Sequence, residues 1–167
     1  SIQNFNDAPR PDTKSKLEKE HKVALLHSTS GFLKEHEEGA LKSCILAFDE
    51  INRNGGLLDH QISYEIFDGE SNEYIFKEQA KNIIDKHHLT SIFGCSTSST
   101  RKQVKPIVEA SNNLLIYPFH YEGLESSDNI IYTGPTSNLQ ALPIIDWLFD
   151  KMNPKSFYFV GSDYVYP

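Results

Sequence analysis

Two polar segments, one rich in hydroxyl groups and one in aromatic rings, each follow a short apolar run typical of a buried strand. Five consecutive hydroxyl side chains stand soon after Ser91–Gly94, where a helix is predicted to begin. They are Ser96, Thr97, Ser98, Ser99 and Thr100. The run Leu114–Tyr117 is followed, after Pro118, by Phe119, His120 and Tyr121. Because the carboxyl ends of parallel strands meet at one edge of a sheet, where such folds bind ligands, we expect these side chains to converge.

The chemistry available at this edge is hydrogen bonding and stacking. Ser98 and its neighbours at the amino end of a helix can donate to a carbonyl group or an anion. Tyr117, His120 and Tyr121 can stack on a small planar solute and bond to its edges. His27 ends the first predicted strand at the same edge, and Ser28 follows it, so both are further candidates for ligand contact.

The sequence does not match the motifs of a nucleophile elbow or of a nucleotide-binding loop. Gly-Cys-Ser-Thr-Ser at 94–98 departs from the Gly-x-Ser-x-Gly of a nucleophile elbow. The loop 28–31 has a single glycine, which does not support dinucleotide or ATP binding. His87 with His88 at a helix end, and His36 with Glu37 and Glu38 at a helix start, are interpreted as solvated groups. We therefore expect no catalytic residue, no metal and no cofactor.

Composition bounds the class of protein. The 167 residues are 38% hydrophobic and 23% charged, which is typical of one globular domain with a core. A net charge of −7 argues against a nucleic-acid partner. Cys44 and Cys95 are expected to be buried thiols, and no run reaches the length of a membrane span. No signal peptide is recognisable, and since the chain opens without Met we expect any targeting segment to have been removed or never included.

Hydrophobic periodicity predicts strands alternating with helices, and hence a doubly wound parallel α/β sheet with flanking helices. The predicted strands are 22–27, 61–67, Ser91–Gly94, Leu114–Tyr117, 129–133 and 156–160. The predicted helices are about 35–54, 71–88, 99–110 and 137–152. The first is expected to bury Ala40, Cys44, Ala47, Phe48 and Ile51, and the second Phe76, Ala80, Ile83 and Ile84. Ser71 is the predicted cap of the second helix, and Thr100 with Gln103 the predicted capping box of the third.

Several ordered motifs resemble a known family. The segments 93–102, 117–127, 129–134 and 160–167 are similar to the urea and short-chain-amide binding proteins, as are 22–28, 50–52 and 54–56. These are type I periplasmic binding proteins that serve ABC transporters, and the family also includes amide sensors. The resemblance covers residues 22–167 and implies two α/β lobes that close on a ligand.

Carried over by position, the resemblance implies ligand contacts from both lobes. Ser96 and Ser98 would lie at the helix end that binds the amide. Tyr117, Phe119 and His120 would line the pocket from the next loop. Tyr164 and Tyr166 would reach it from the opposite lobe.

The chain also departs from the family pattern. Members usually have an aromatic residue where Ser96 stands, and a small or β-branched residue followed by Gln or Pro at Phe119-His120. Members run to about twice this length. We therefore expect a linker or tail at 1–21, an amino-terminal lobe at 22–135, and at 136–167 the crossover helix and first strand of a second lobe. The apolar faces of 136–167 would be exposed, so we predict either a homo-oligomer through this segment or docking onto the first sheet.

The predicted function is non-enzymatic binding of urea or a short-chain amide, or an amino-acid-like solute, in the periplasm or another extracytoplasmic space. The partners would be the membrane subunits of an ABC transporter. The alternative is the ligand-sensing domain of a membrane signalling protein, with 13–21 as a membrane-proximal linker. In either case one lobe alone should bind weakly, since half of the contacts are missing.

Overall fold

Five parallel strands form the centre of the structure, a computed structural model that describes residues 20–166. The strands are β1 Glu20–His27, β2 Gln61–Asp68, β3 Ser91–Gly94, β4 Leu114–Tyr117 and β5 Ile130–Tyr132. Their order in the sheet is β2-β1-β3-β4-β5, and every neighbouring pair is parallel. The predicted doubly wound α/β fold is therefore confirmed.

β1 is an interior strand of the sheet and has the longest continuous run of buried residues. Ala24, Leu25 and Leu26 of β1 are fully buried, because β2 and β3 flank the strand and helices cover both faces. β1 begins at Glu20, two residues before the predicted start. The rest of the predicted linker or tail, residues 1–19, lies outside the described residues.

Four helices accompany the sheet: α1 Lys34–Arg53, α2 Glu73–Asp85, α3 Ser98–Ala110 and α4 Ser137–Lys151. α2 and α3 share one face of the sheet, where they pack on Ala24, Leu26, Ile92 and Leu115. α1 covers the other face through Leu25 and Ile62. Alternate side chains of β1 thus enter opposite layers, as strand geometry requires.

The predicted buried face of α2 is confirmed, whereas that of α1 is partly wrong. Phe76, Ala80 and Ile83 are buried and Ile84 packs against them. In α1 the buried residues are Glu37, Leu41 and Phe48. Ala47 and Ile51 are exposed and Cys44 is half-buried, because the face of α1 that meets the sheet is rotated toward Leu41 and Ile45.

Both predicted helix caps are displaced. Asn72, not Ser71, caps α2, since its side chain accepts hydrogen bonds from the backbone N–H groups of Tyr74 and Ile75. In α3 the capping box joins Thr97 to Thr100 rather than Thr100 to Gln103. α3 therefore begins one residue earlier than predicted.

The segment after β5 contains α4 but not the predicted strand at 156–160. α4 buries none of its side chains, and the helix makes no substantial packing contact with the sheet. Residues 156–160 are irregular, because no described strand lies beside them to complete a ladder of hydrogen bonds. Neither α4 nor residues 156–160 dock onto the first sheet. The assignment of this segment to a second lobe stays a prediction.

Candidate functional site

A cleft of about 600 Å³ opens at the carboxyl edge of the sheet. The loop after β1, the amino ends of α2 and α3, and a segment near residue 164 form its walls. The lining residues are Phe32, Leu33, Ser71, Glu73, Thr97, Ser99, Thr100, Tyr164 and Val165. Thr97, Ser99 and Thr100 of the predicted hydroxyl run line the cleft, whereas Tyr117, His120 and Tyr121, which were expected to converge with them, are not among its lining residues.

The start of α3 presents hydroxyl groups to this cleft. Thr97 Oγ1 accepts from the backbone N–H of Thr100 at 3.2 Å, and the N–H of Thr97 donates to Thr100 Oγ1 at 3.2 Å. Ser99 Oγ lies 3.0 Å from Thr97 Oγ1. This capping box holds the first turn of α3 in place, with its positive dipole end toward the cleft.

Ser96 and Ser98 point inward instead. Both are buried, and Ser96 Oγ donates to Glu37 Oε1 at 2.6 Å. Ser98 Oγ accepts from an Nη atom of Arg101 at 3.2 Å. Their side chains serve internal hydrogen bonds in this structure, and ligand contact through them stays a prediction.

Glu37 is fully buried, so its interpretation as a solvated group is wrong. It lies in the first turn of α1, where the helix dipole favours a negative charge. Its Oε2 accepts from the backbone N–H of Ser28 at 2.8 Å and lies 3.4 Å from Nδ1 of His27. Burial raises the pKa of this carboxyl, but the contacts from His27, Ser96 and Ser28 outweigh burial and hold the pKa below its usual range.

His27 and Ser28 are buried and do not line the cleft. His27 is fully buried beside Glu37. Ser28 Oγ accepts from the backbone N–H of Ser71 at 2.9 Å, which joins the loop after β1 to the loop after β2. A second tie comes from Asp68, whose Oδ1 accepts from the N–H groups of Thr29 and Glu70.

The aromatic loop after β4 divides into buried and accessible residues. Tyr117 is fully buried, and its hydroxyl donates to the carbonyl oxygens of His120 at 3.1 Å and Ser96 at 3.3 Å. Burial raises the pKa of this phenol. The ring of Phe119 is half-buried, 5.2 Å from the ring of His36.

The outer part of this loop meets the end of the chain. His120 is exposed, with its ring 4.8 Å from that of Tyr166, which in turn lies 6.4 Å from the ring of Tyr164. Tyr121 stacks on Tyr132 at 4.4 Å, away from the cleft lining. The structure thus places His120, Tyr164 and Tyr166 together.

Arg101 anchors the aromatic loop to α3, a role that the periodicity of α3 could not predict. The side chain is 0% exposed, with Nε 2.8 Å from Glu125 Oε1 and an Nη atom 2.7 Å from Glu122 Oε2. Its guanidinium lies over the rings of Tyr117 and Tyr121 at 4.8 and 5.4 Å. Burial raises the pKa of Glu122 and of Glu125, but hydrogen bonds outweigh burial and hold both pKa values below the usual range. At Glu122 these come from its own backbone N–H and from Arg101, and at Glu125 from Tyr132 and Arg101.

Two kinds of feature are not found in residues 20–166. No group of three or more His, Cys, Asp or Glu side chains there is arranged to hold a metal ion. Over the same residues, no helix combines the length and the apolar character that crossing a bilayer requires.

The fold resembles that of solved binding proteins. A branched-chain amino acid transporter substrate-binding protein from Streptococcus pneumoniae, in complex with isoleucine, matches 81% of this chain with a TM-score of 0.73 and 22% identity. A leucine-binding protein from Thermotoga maritima matches 79% with a TM-score of 0.70 and 16% identity. A fatty acid ABC transporter substrate-binding protein from Thermomonospora curvata matches 81% with a TM-score of 0.69 and 19% identity. At these identities the likeness establishes the fold.

The chain corresponds to only part of each of these proteins. It spans 39%, 37% and 34% of their respective lengths. The model of the periplasmic binding protein domain matches residues 21–167, nearly the whole chain. This match agrees with the prediction that the chain binds a ligand and is not an enzyme. The chain belongs to the family of periplasmic binding protein domains.

Proposed function

We propose that this chain is a ligand-binding lobe of a substrate-binding protein that delivers a small solute to an ABC transporter outside the cytoplasm. The observation that carries the proposal is the cleft at the carboxyl edge of the sheet, where the hydroxyl-rich start of α3 faces the loop after β1. α/β sheets bind ligands at this edge. The family match supports a binding role, and the fold is that of substrate-binding proteins of known structure.

The lining supports a solute with a polar head and a short apolar part. Thr97 and Ser99 offer hydroxyl groups, and the amino end of α3 offers a positive dipole. Phe32, Leu33 and Val165 offer apolar surface in the same cleft. Short-chain amides and amino acids have both parts, whereas urea has only the polar one. We therefore favour an amide or amino acid over urea itself.

The similar proteins agree with this choice in kind. One is described with bound isoleucine, another as leucine-binding, and a third as a fatty acid transporter component. Each ligand named for these proteins has a polar group and an apolar carbon chain. The predicted alternative, a sensing domain, would use the same cleft, and what adjoins the domain in the full protein distinguishes the two roles.

A titration followed by two-dimensional amide NMR tests the proposal. Acetamide, leucine and urea are added separately to the 167-residue chain, and the shifts of the amide signals are mapped. Acetamide or leucine should shift the signals of Ser71, Ser99 and Thr100 in a saturable way, with little effect on α4. A single lobe should bind weakly, since it supplies only part of the contacts.

Matched serine variants sharpen the result. Ser99→Ala removes a hydroxyl that lines the cleft and should weaken binding by about tenfold, the loss expected of one hydrogen bond. Ser43→Ala removes an exposed hydroxyl on α1, which bonds to the carbonyl of Gly39, and should leave binding unchanged. Absence of saturable shifts with all three solutes would contradict the proposal.

A further inference from the structure

Glu37 is a buried charge whose hydrogen-bond donors all come from outside its own helix. The N–H of Ser28, after β1, and the hydroxyl of Ser96, after β3, donate to its carboxylate, and Nδ1 of His27 at the end of β1 lies 3.4 Å from it. Both bonds are short, at 2.8 and 2.6 Å, and the carboxylate is fully shielded from solvent. A buried carboxylate is tolerated only when such donors compensate its lost hydration. The carboxylate therefore fixes the positions of the loops after β1 and β3 relative to α1.

These bonds continue as a chain into the wall of the cleft. The N–H of Ser71 donates to Ser28 Oγ at 2.9 Å, and the N–H of Leu33 donates to Ser71 Oγ at 2.9 Å. Ser71 and Leu33 both line the cleft, whereas Glu37 and Ser28 do not. We call the sequence Ser96–Glu37–Ser28–Ser71–Leu33 the Glu37 chain.

The other end of the Glu37 chain reaches the hydroxyl-rich wall. Ser96 immediately precedes Thr97, which caps α3 and lines the cleft. A carboxylate accepts through both oxygens at once, with Oε1 serving Ser96 and Oε2 serving Ser28. One side chain thereby sets the spacing between the loop after β1 and the start of α3, two walls of one cleft.

We propose that Glu37 is a positioning residue of the cleft: it holds the loops after β1, β2 and β3 in register so that Leu33, Ser71 and Thr97 form one binding surface. The consequence for ligand affinity rests on the proposed function, whereas the ordering of the loops does not. Glu37 acts through Ser28 and Ser96 and has no place in the cleft lining.

Amide hydrogen exchange on the ligand-free chain tests the ordering. Ser71 and Leu33 donate to other serines and not to Glu37, so their exchange reports whether order is transmitted along the Glu37 chain. In Glu37→Gln these two amides should exchange about tenfold faster, as expected when a charge-assisted bond is lost. The buried strand amides of Leu25 and Ile92 serve as the reference for global unfolding.

Three further variants separate positioning from general stability. Glu38→Gln alters the neighbouring carboxylate, which pairs with Lys42 on the surface, and should change none of these amides. Glu37→Leu should exceed Glu37→Gln in effect, because it leaves both donors without an acceptor. Ser28→Ala removes the hydroxyl that accepts from the N–H of Ser71. The amides of Ser71 and Leu33 should therefore exchange faster, while the N–H of residue 28, still bonded to Glu37, stays protected. This last variant decides the question if substitutions of Glu37 prevent folding.

The outcomes distinguish this inference from the proposed function. If acceleration is confined to Ser28, or if Leu25 and Ile92 accelerate equally with Ser71 and Leu33, Glu37 has no positioning role and the inference is overturned. If the loops loosen selectively, but acetamide, leucine and urea bind neither the wild-type protein nor the Glu37→Gln variant, the inference stands and the proposed function fails. If the wild-type chain binds acetamide or leucine, Glu37→Gln should weaken that binding by about tenfold, and unchanged binding would also overturn the inference.

Discussion

At the scale of single residues, two buried charges organise the carboxyl edge of the sheet. Glu37 joins the loops after β1 and β3, and Arg101 joins α3 to the aromatic loop after β4. Each is fully buried, so each depends on partners that compensate for lost hydration. Removing one member of such a group deprives its partners of a hydrogen-bonded charge in a place where water compensates poorly.

Arg101 offers the sharper test of this point. Arg101→Met should lower the free energy of unfolding by about 3–5 kcal/mol, because Glu122 and Glu125 lose their buried partner. Urea unfolding followed by circular dichroism measures the change.

Lys102→Met is the matched control for Arg101. Lys102 lies 3.3 Å from the same Glu125, but its side chain is 40% exposed, so the loss should stay below about 1 kcal/mol. Equal costs for the two variants would refute the role assigned to Arg101.

At the scale of elements, the positions of the helix starts decide which polar groups remain for a ligand. α2 begins after Asn72, which frees Ser71 to bond with Leu33 and Ser30 across the cleft wall. α3 begins after Thr97, which leaves Ser99 near the cleft. A shift of either cap by one residue would rearrange this wall.

The cap of α2 can be tested directly. Asn72→Ala should reduce the free energy of unfolding by about 1 kcal/mol, because the N–H groups of Tyr74 and Ile75 lose their acceptor. Asn72→Asp keeps an acceptor and places a negative charge at the amino end of the helix, so its stability should match or exceed that of the wild type. A neutral effect of Asn72→Ala in urea unfolding would count against this assignment of the cap.

At the scale of the whole molecule, apolar surface is concentrated after β5. Leu142, Trp147 and Phe149 of α4 are all more than half exposed, and Tyr158 and Phe159 are about nine-tenths exposed. A concentration of exposed apolar side chains is typical of a face that packs against another surface. The predicted homo-oligomer through residues 136–167 remains consistent with this exposure.

Self-association of the 167-residue polypeptide is the corresponding prediction. Sedimentation velocity should show a mass that rises with concentration, driven by burial of α4 side chains. Trp147→Glu combined with Leu142→Glu should weaken association by about tenfold or more, since each large apolar side chain contributes about 1.5–3 kcal/mol on burial. Gln140→Glu, an exposed polar position on the same helix, should leave the mass unchanged. A monomer at every concentration would exclude the oligomer.

The sequence by itself determined the strand and helix order and the edge where the polar side chains meet. The burial of Leu114–Tyr117 and of one face of α2 can be predicted from sequence, because apolar residues recur there with the period of the element. The turn after each strand then places its polar residues at the carboxyl edge. Thr97 was expected there and lines the cleft, whereas Tyr117, His120 and Tyr121 were expected there and are not among the lining residues.

Only the tertiary structure decided which polar groups are buried. Glu37 and Glu38 are adjacent and chemically identical, yet one is fully buried and the other pairs with Lys42 on the surface. Their difference depends on Ser28 and Ser96, and Ser96 lies 59 residues away in sequence from Glu37. The strand expected at 156–160 failed to form for the same kind of reason, since a strand requires a neighbour that local sequence does not specify. Local pattern encodes which face of an element is apolar, whereas partners for charges and strand edges come from distant parts of the chain.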